Sequence, residues 1–181
     1  VLFRSLRFGK TYTELDQIFF GNKSSLRASR GEISARDHMQ HVMRTLDLPE
    51  TDESIDAFVD EFFIGDEVDR EIIDYIESLC PRYKTVMLSN AWDNLRKILI
   101  NKWKIADAFD EIFISAEMGF AKPDPKIYEM VLDKLDVAPE ETVFIDDFIE
   151  NIEAACKLGM HGIHFQAPDV AMAELKAMLK E

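Results

Sequence analysis

The sequence predicts an α/β protein in which a doubly wound parallel sheet carries an inserted all-helical segment. After Pro81, short apolar runs of strand character alternate with helical patterns, which is typical of right-handed βαβ units and a parallel sheet. Between Tyr12 and about Leu79, apolar residues instead recur at three- and four-residue steps, the spacing of amphipathic helices. We therefore predict a helical segment over residues 10–78 and an α/β core over residues 79–181.

Four amphipathic helices account for the predicted helical segment. Ser34 and Asp37 have the spacing of a capping box, and Thr51 is a second candidate N-cap residue. Gly65 separates the third helix from the fourth. We interpret the apolar stripes as the core of a helix bundle rather than as an exposed groove for a partner. The stripes are Leu15, Ile18 and Phe19; Met39, Val42, Met43 and Leu46; Ile55, Phe58, Val59, Phe62 and Phe63; and Val68, Ile72, Ile76 and Leu79.

Four short strands alternate with helices in the predicted core. The strands are expected at 85–88, 112–114, 142–145 and 162–165, where short apolar runs are bounded by turn residues. Each run is followed by apolar residues at helical spacing. These residues are Leu95, Ile98 and Leu99; Ile127, Val131 and Leu135; Ile149, Ile152, Ala155 and Cys156; and Val170, Leu175, Met178 and Leu179.

Composition and charge narrow the classes of function. The chain has 181 residues, of which 47% are hydrophobic, and a net charge of −14 at pH 7. This negative field argues against nucleic-acid and anionic-membrane partners, but it does not exclude a small phosphate ester, because a local cation outweighs a distant field. Since we find neither a signal peptide nor an apolar run near the roughly 18 residues of a membrane span, we expect a cytoplasmic protein. Cys80 and Cys156 are expected to be buried free thiols.

Polar side chains follow three of the predicted strands. Ser89 and Asn90 follow the first strand, Lys122 lies beyond the second, and Asp146 and Asp147 end the third. Because the carboxyl ends of parallel strands meet at one edge of a sheet, we expect these groups around one cleft. Two adjacent carboxylates repel each other unless a cation or hydrogen-bond donors compensate them. Mg2+ is the cation best suited to such oxygen ligands.

Each of these groups also has a simpler interpretation. Ser89 with Asn90 could form only a turn and a helix cap, and Lys122 could be a solvated loop lysine. Asp147 could cap the next helix, with Glu150 three residues on completing a capping box. We favour a shared site because the predicted fold brings all three strand ends to the same edge.

The motifs together resemble those of haloacid dehalogenase-like hydrolases that carry a helical cap. The hydroxyl motif is Val-Met-Leu-Ser-Asn at 86–90, and the lysine motif is Gly-Phe-Ala-Lys-Pro-Asp-Pro-Lys-Ile-Tyr at 119–128. The acidic motif starts with Val-Phe-Ile-Asp-Asp at 143–147 and continues to Asn151, which would support the site. Within the family, these motifs are most similar to glucose-1-phosphate-type sugar phosphatases and the phosphatase domain of soluble epoxide hydrolases. The resemblance implies a Rossmann-like core with residues 10–78 as the cap.

The resemblance also implies a reaction and a role for each motif residue. The reaction is phosphoryl transfer through an aspartyl-phosphate, with Mg2+ as the cofactor. Asp147 would bind Mg2+, with Asp146 completing or flanking the ligand set. Lys122 would act in catalysis by pairing with phosphate and nucleophile, and Ser89 and Asn90 would donate to the phosphoryl oxygens, with Ser89 also counted as catalytic. The implied substrate is a small phosphorylated metabolite, with a sugar phosphate favoured, and the implied assembly is a monomer or homodimer.

One part of the family pattern has no counterpart in the sequence. The family nucleophile lies in an Asp-x-Asp at the end of the first strand, and none precedes the helical segment here. We interpret residues 1–9 as a remnant of the core's amino terminus, with the first, central strand missing, and expect the chain as given to be inactive. The preferred interpretation is thus a Mg2+-dependent phosphomonoester hydrolase truncated before its nucleophile. The alternative is a non-catalytic relative that binds phosphorylated ligands or proteins. A metal-independent dehalogenase is weaker, because it leaves the pair Asp146 and Asp147 unexplained.

Overall fold

The helical region predicted from the apolar stripes is present. A computed structural model describes residues 9–179 of the chain, and these residues belong to two compact units, one ending at Gly119 and the other starting at Phe120. In the first unit, residues 9–79 contain five helices: α1 (Tyr12–Phe19), α2 (Lys23–Ser29), α3 (Ala35–Thr45), α4 (Asp52–Phe62) and α5 (Arg70–Leu79). Four of them match predicted helices. That these helices form a cap remains a prediction, and residues 1–8 lie outside the described part.

Side-chain caps determine where the helices begin. The Ser34 hydroxyl accepts a hydrogen bond from the backbone N–H of Asp37 at 3.0 Å, and the Asp37 carboxylate accepts one from the N–H of Ser34 at 3.1 Å. The predicted capping box of α3 is therefore confirmed. Thr51 also caps α4 as predicted, because its hydroxyl accepts from the N–H of Ser54 at 3.3 Å. Both caps satisfy N–H groups that the first helical turn leaves without partners.

Helix α2 was not predicted, because its sequence has no apolar stripe. Its buried residues are only Ser25 and Ala28, and its start is set by Asn22, whose side chain accepts from the N–H of Ser25 at 2.9 Å. The turn after α2 requires glycine, since Gly31 has a φ of 70° and an added Cβ would lie 2.2 Å from the carbonyl oxygen of Ala116. Tertiary packing, rather than periodicity, thus supports this short helix.

An aromatic core holds helices α1, α3 and α4 together. The rings of Phe19 and Phe62 stack with centroids 3.6 Å apart, and Phe58 stacks on Phe19 at 5.6 Å. The bundle-core interpretation is confirmed for these stripes. The cluster comprises Phe19, Met39, Val42, Met43, Ile55, Phe58 and Phe62. In the α5 stripe, Leu79 is buried as predicted and Val68 and Ile76 pack against a second cluster, but Ile73 is buried where the half-buried Ile72 was expected.

The first unit also contains one parallel strand pair. Strand β1 (Val86–Ser89) pairs in parallel with β2 (Glu111–Ile114), and Ser89 lies opposite Ile114 at their carboxyl ends. Between them, α6 (Leu95–Ile98) continues as a π-helical turn (Leu99–Trp103) and a 3-10 turn (Ala106–Ala108). The short helix α7 (Ser115–Met118) follows β2 directly.

The second unit contains the other parallel pair. Strand β3 (Val143–Asp146) pairs in parallel with β4 (His161–His164), with Asp146 opposite His164. Helix α8 (Pro125–Leu135) and a 3-10 turn (Pro139–Glu141) precede β3, α9 (Ile149–Lys157) connects the two strands, and α10 (Pro168–Leu179) follows β4. Helix α9 thus brings the chain back so that β3 and β4 run in the same direction, as a βαβ crossover requires.

The prediction of an α/β fold with parallel strands is confirmed. Within residues 9–179 the strands form two pairs, β1 with β2 and β3 with β4. One expectation is wrong: the thiols of Cys80 and Cys156 are free, as predicted, but exposed rather than buried. Cys80 follows the end of α5 and Cys156 lies in the last turn of α9. Across the described residues, no helix combines the length and apolar character that a membrane crossing needs.

Candidate functional site

Asp146 is the most constrained polar residue of the second unit. It is the last residue of β3 and is 8% exposed. Its Oδ2 accepts a hydrogen bond from the Lys122 ammonium at 2.5 Å. Its Oδ1 accepts from the side-chain amide of Asn151 at 2.8 Å and from the backbone N–H of Phe148 at 2.9 Å. Three donors therefore fix the carboxylate. Their hydrogen bonds compensate the free-energy cost of burying its charge.

The solvated-loop interpretation of Lys122 is wrong. Its side chain is only 8% exposed, and that of its partner Asp146 is 5% exposed. The ammonium also lies 5.4 Å from the centre of the Phe144 ring, on the strand that carries Asp146. A lysine buried in this way is held by charge pairing and by the negative face of the ring. Its position is thus set by the site and not by solvent.

Tyr128 helps to hold the surroundings of the Lys122–Asp146 pair in place, a role that was not predicted from the sequence. Its hydroxyl donates a hydrogen bond to the carbonyl oxygen of Asn151 at 3.0 Å, and its ring meets that of Phe144 edge to face at 5.3 Å. Burial and the nearby charge of Asp146 raise the pKa of the Tyr128 phenol, so it stays protonated and able to donate. Tyr128 lies in the lysine motif at 119–128, which was the available signal.

Asp147 is placed quite differently from its neighbour. It follows the end of β3 and its side chain is exposed. The N-cap position of α9 is Phe148, with no side-chain capping hydrogen bond, so the interpretation of Asp147 as a helix cap is wrong. Its carbonyl oxygen lies 3.1 Å from Nε2 of His164 on the neighbouring strand. That contact holds the backbone of Asp147 while its carboxylate stays open to solvent.

The carboxylates of Asp146 and Asp147 are suitable ligands for Mg2+, but they do not form a complete coordination shell. Asp146 and Asp147 offer oxygen ligands, which Mg2+ prefers, and the ion commonly takes only one or two carboxylates, with waters and substrate phosphate completing the set. Among residues 9–179, no group of three or more His, Cys, Asp or Glu side chains is placed to hold a metal ion. The described carboxylates would thus supply part of a shared site rather than a complete metal cage.

Ser89 and Asn90 lie at the carboxyl end of β1 in the first unit. The loop after them is anchored at both sides. The hydroxyl of buried Ser115 accepts from the N–H of Ala91 at 3.0 Å and donates to its carbonyl at 3.1 Å. The Asp93 carboxylate accepts from the backbone N–H of Ala35, at the start of α3, at 3.0 Å.

The structure brings together part of the predicted constellation. Lys122, Asp146 and Asp147 lie together in the second unit, around the end of β3. Ser89 and Asn90 belong to the first unit. The convergence of all five residues on one cleft, and the role of each, therefore remain predictions from the sequence.

Comparison with known proteins identifies the family. A family model described as haloacid dehalogenase-like hydrolase matches residues 4–159. The chain belongs to this family. The match extends from the helical region through the lysine and acidic motifs, and it confirms the family to which the motifs pointed.

Relatives of this haloacid dehalogenase-like hydrolase include proteins named as phosphatases. A sesquiterpene phosphatase from Aspergillus oryzae is 42% identical over 73 residues, which are 40% of this chain and 37% of that protein. A D-ribitol-5-phosphate phosphatase from Bacteroides thetaiotaomicron is 31% identical over 99 residues, which are 51% of this chain and 48% of that protein. Each alignment thus covers less than half of the relative's length.

A solved structure supports the same family and fold. A family enzyme from Bacteroides thetaiotaomicron, crystallised with magnesium and inorganic phosphate, superposes with a TM-score of 0.74 at 25% identity. The superposition covers 87% of this chain and 81% of that chain. The Rossmann-like α/β class predicted from the alternating strands and helices is thereby confirmed.

Proposed function

We propose that the chain carries the metal- and phosphate-binding groups of a Mg2+-dependent phosphomonoester hydrolase that acts on a small phosphorylated metabolite, with a sugar phosphate favoured. The observation that carries this proposal is the buried pairing of Lys122 with Asp146 beside the exposed carboxylate of Asp147. A fixed ammonium next to open carboxylate oxygens offers both a charge partner for phosphate and ligands for a cation. The phosphatases among the relatives, one named for ribitol 5-phosphate, support the same substrate class.

The residues around the end of β3 would have different roles in binding Mg2+ and phosphate. Asp147 would contribute its exposed carboxylate to Mg2+, and Asp146 would flank the ion while holding Lys122 in place. Mg2+, when bound, would neutralise phosphate charge and hold the reacting groups in line. The Lys122 ammonium would pair with a phosphoryl oxygen, and because its position is fixed in advance, that pairing requires little rearrangement.

The end of β1 would supply the remaining contacts to the phosphoryl group. Ser89 and Asn90 carry a hydroxyl and an amide at the point where the strand stops. Both groups are donors suited to phosphoryl oxygens. The anchored loop behind them, through Ala91 and Ser115, would keep those donors in register with the strand.

We propose none of the 181 residues as the nucleophile. The 181-residue sequence contains no Asp-x-Asp, the motif in which the family places the attacking carboxylate. We therefore propose that these residues alone do not complete turnover, although they bind phosphate with Mg2+. Removal of a covalent nucleophile typically costs orders of magnitude in rate.

The test compares the 181-residue chain with a longer chain that also carries an upstream strand ending in Asp-x-Asp. Both are assayed with p-nitrophenyl phosphate and sugar phosphates, with and without Mg2+. Activity only in the longer chain and only with Mg2+ is the expected result. Equal activity in both chains would contradict the nucleophile argument, because an unrecognised residue would then have to attack phosphorus.

The absence of an Asp-x-Asp from the sequence also supports a second candidate function. Without Asp-x-Asp the chain would be a non-catalytic relative that binds phosphorylated ligands or partner proteins. Measured binding of inorganic phosphate, with no turnover by the longer chain, would favour this alternative.

A further inference from the structure

An aromatic pair lies next to the hydroxyl motif of the first unit. Phe20, just after α1, stacks on Trp92 with ring centroids 5.9 Å apart and planes 19° from parallel. Phe20 is 49% exposed, although it is a large hydrophobic residue. Trp92 is half-buried and follows Ser89 by three residues. The partly exposed stack therefore includes a residue only two positions beyond Asn90 in the chain.

Trp92 is held firmly rather than carried on a loose loop. Its ring lies 4.5 Å from that of His38, at a tilt of 59°, and it packs against the aromatic core of the helices. The loop on both sides is anchored through Ala91 to Ser115 and through Asp93 to the start of α3. The stack thus has a fixed place relative to the end of β1.

The distance from the hydroxyl motif is short enough for one bound molecule to reach both. Three residues of extended chain span at most about 11 Å, so the Cα atoms of Ser89 and Trp92 are no farther apart than that. An organic group esterified to a phosphate at Ser89 and Asn90 therefore comes within reach of the Phe20–Trp92 stack. Binding sites commonly combine such an apolar wall with a few convergent polar groups.

We propose that the Phe20–Trp92 stack determines substrate specificity by binding the apolar face of a ring in the leaving group. This inference rests on the proposed phosphatase function and names its substrate class: phosphomonoesters of ring-bearing alcohols, rather than of short open-chain ones. His38 acts as a positioning residue, because its ring packs on Trp92 while its two nitrogens lie within hydrogen-bond distance of the Phe19 carbonyl oxygen and the Ser24 hydroxyl. A purely structural role would instead bury Phe20, which is 49% exposed.

The test measures binding through the fluorescence of Trp92 in a Trp103→Phe background. The chain has two tryptophans, and the Nε1 of Trp103 is buried without a hydrogen-bond partner in the described residues, so phenylalanine removes no hydrogen bond. Benzylphosphonate and methylphosphonate are titrated with Mg2+ present, because they share the phosphonate group and differ by a ring. The variants are Phe20→Ala, Phe20→Leu and the control Tyr12→Ala. Tyr12 is also half-exposed but lies about 12 Å away along α1.

We expect benzylphosphonate to bind more tightly than methylphosphonate. Phe20→Ala should raise the Kd of benzylphosphonate about three- to tenfold and leave that of methylphosphonate unchanged. Phe20→Leu should restore part of the loss, and Tyr12→Ala should change neither Kd. The inference is overturned if Phe20→Ala weakens both ligands equally, which indicates a structural role, or weakens neither. If neither phosphonate nor inorganic phosphate binds the parent protein, the proposed function fails and the inference fails with it.

Discussion

The ammonium of Lys122 and Oδ2 of Asp146 lie 2.5 Å apart at the carboxyl end of β3, in side chains that are less than one tenth exposed. Burial of such a pair contributes little net stability, because desolvation of both charges offsets their attraction. The pair is therefore better explained by a need to hold an ammonium in one position. That explanation leads to the first prediction.

Breaking the pair should cost more than removing it. Asp146→Ala leaves the Lys122 charge buried without its carboxylate and should destabilise the protein by about 3–5 kcal/mol. Lys122→Met with Asp146→Leu should cost less, because no charge is left buried and only the Asn151 and Phe148 donors lose their acceptor. Urea unfolding at pH 7 measures both. A double variant as unstable as the single one would show that the pair stabilises the fold after all.

Asp147 should matter for metal binding and not for helix formation. Asp147→Asn, in a chain that carries the nucleophile motif, should lower Mg2+-dependent phosphatase activity by orders of magnitude while leaving the unfolding midpoint nearly unchanged. Glu150→Gln is the matched control, since it is the other acidic residue of the discarded capping box and should keep full activity. Wild-type turnover of Asp147→Asn at saturating Mg2+ would remove this residue from the metal site.

The Tyr128 hydroxyl should contribute both stability and positioning. Tyr128→Phe keeps the ring contact with Phe144 but removes the hydrogen bond to the Asn151 carbonyl, which should cost about 1–2 kcal/mol. Because Asn151 donates to Asp146, kcat should fall more than KM rises in a chain that carries the nucleophile motif. Tyr12→Phe, at an exposed site, is the control. An unchanged kcat would limit Tyr128 to a role in packing.

His38 should make the helical region sensitive to mild acid. Its ring is fully buried, with Nε2 2.9 Å from the carbonyl oxygen of Phe19 and Nδ1 3.0 Å from the Ser24 hydroxyl. Burial, and to a lesser degree the charge of nearby His41, lower the pKa of His38 below its usual 6.5, against an opposing effect of the Phe19 hydrogen bond.

The sign of the pH effect follows from that lowered pKa. The unfolded chain binds a proton to this histidine at a higher pH than the folded chain does, so the contribution of neutral His38 is complete above about pH 6.5 and declines as pH falls toward the folded pKa. The slope is at most about 1.4 kcal/mol per pH unit. Unfolding free energies of wild type and His38→Gln between pH 5 and 8 should show a difference that narrows with acid. Parallel curves would contradict the prediction.

The aromatic core should be the most sensitive part of the helical region. Phe62→Ala removes a buried ring that stacks on Phe19 and should destabilise the protein by about 3–5 kcal/mol. The control Ile64→Ala, at a side chain that is 68% exposed, should stay within about 0.5 kcal/mol of wild type. Thermal unfolding followed by circular dichroism distinguishes the two.

Local patterns in the sequence were sufficient for most helices and strands. Apolar residues at helical spacing and the caps at Ser34 and Thr51 act within a few residues of one another, so they can be recognised without the fold. Helix α2 could not be found in this way, because a cap at Asn22 and packing against Ala116 replace an apolar stripe. The motifs at 86–90, 119–128 and 143–147 likewise predicted the family, since their order along the chain is itself the signal.

Only the tertiary structure decided which member of each motif is buried. Asp146 and Asp147 are chemically identical neighbours, yet Asp146 ends β3, where three donors enclose its carboxylate, and Asp147 lies in the bend beyond the strand, where its side chain meets solvent. Lys122 is an ordinary loop lysine in the sequence and becomes a buried ion-pair partner only because α8 and β3 pack beside it. Burial and pairing are long-range properties, because they depend on residues that the fold alone brings together.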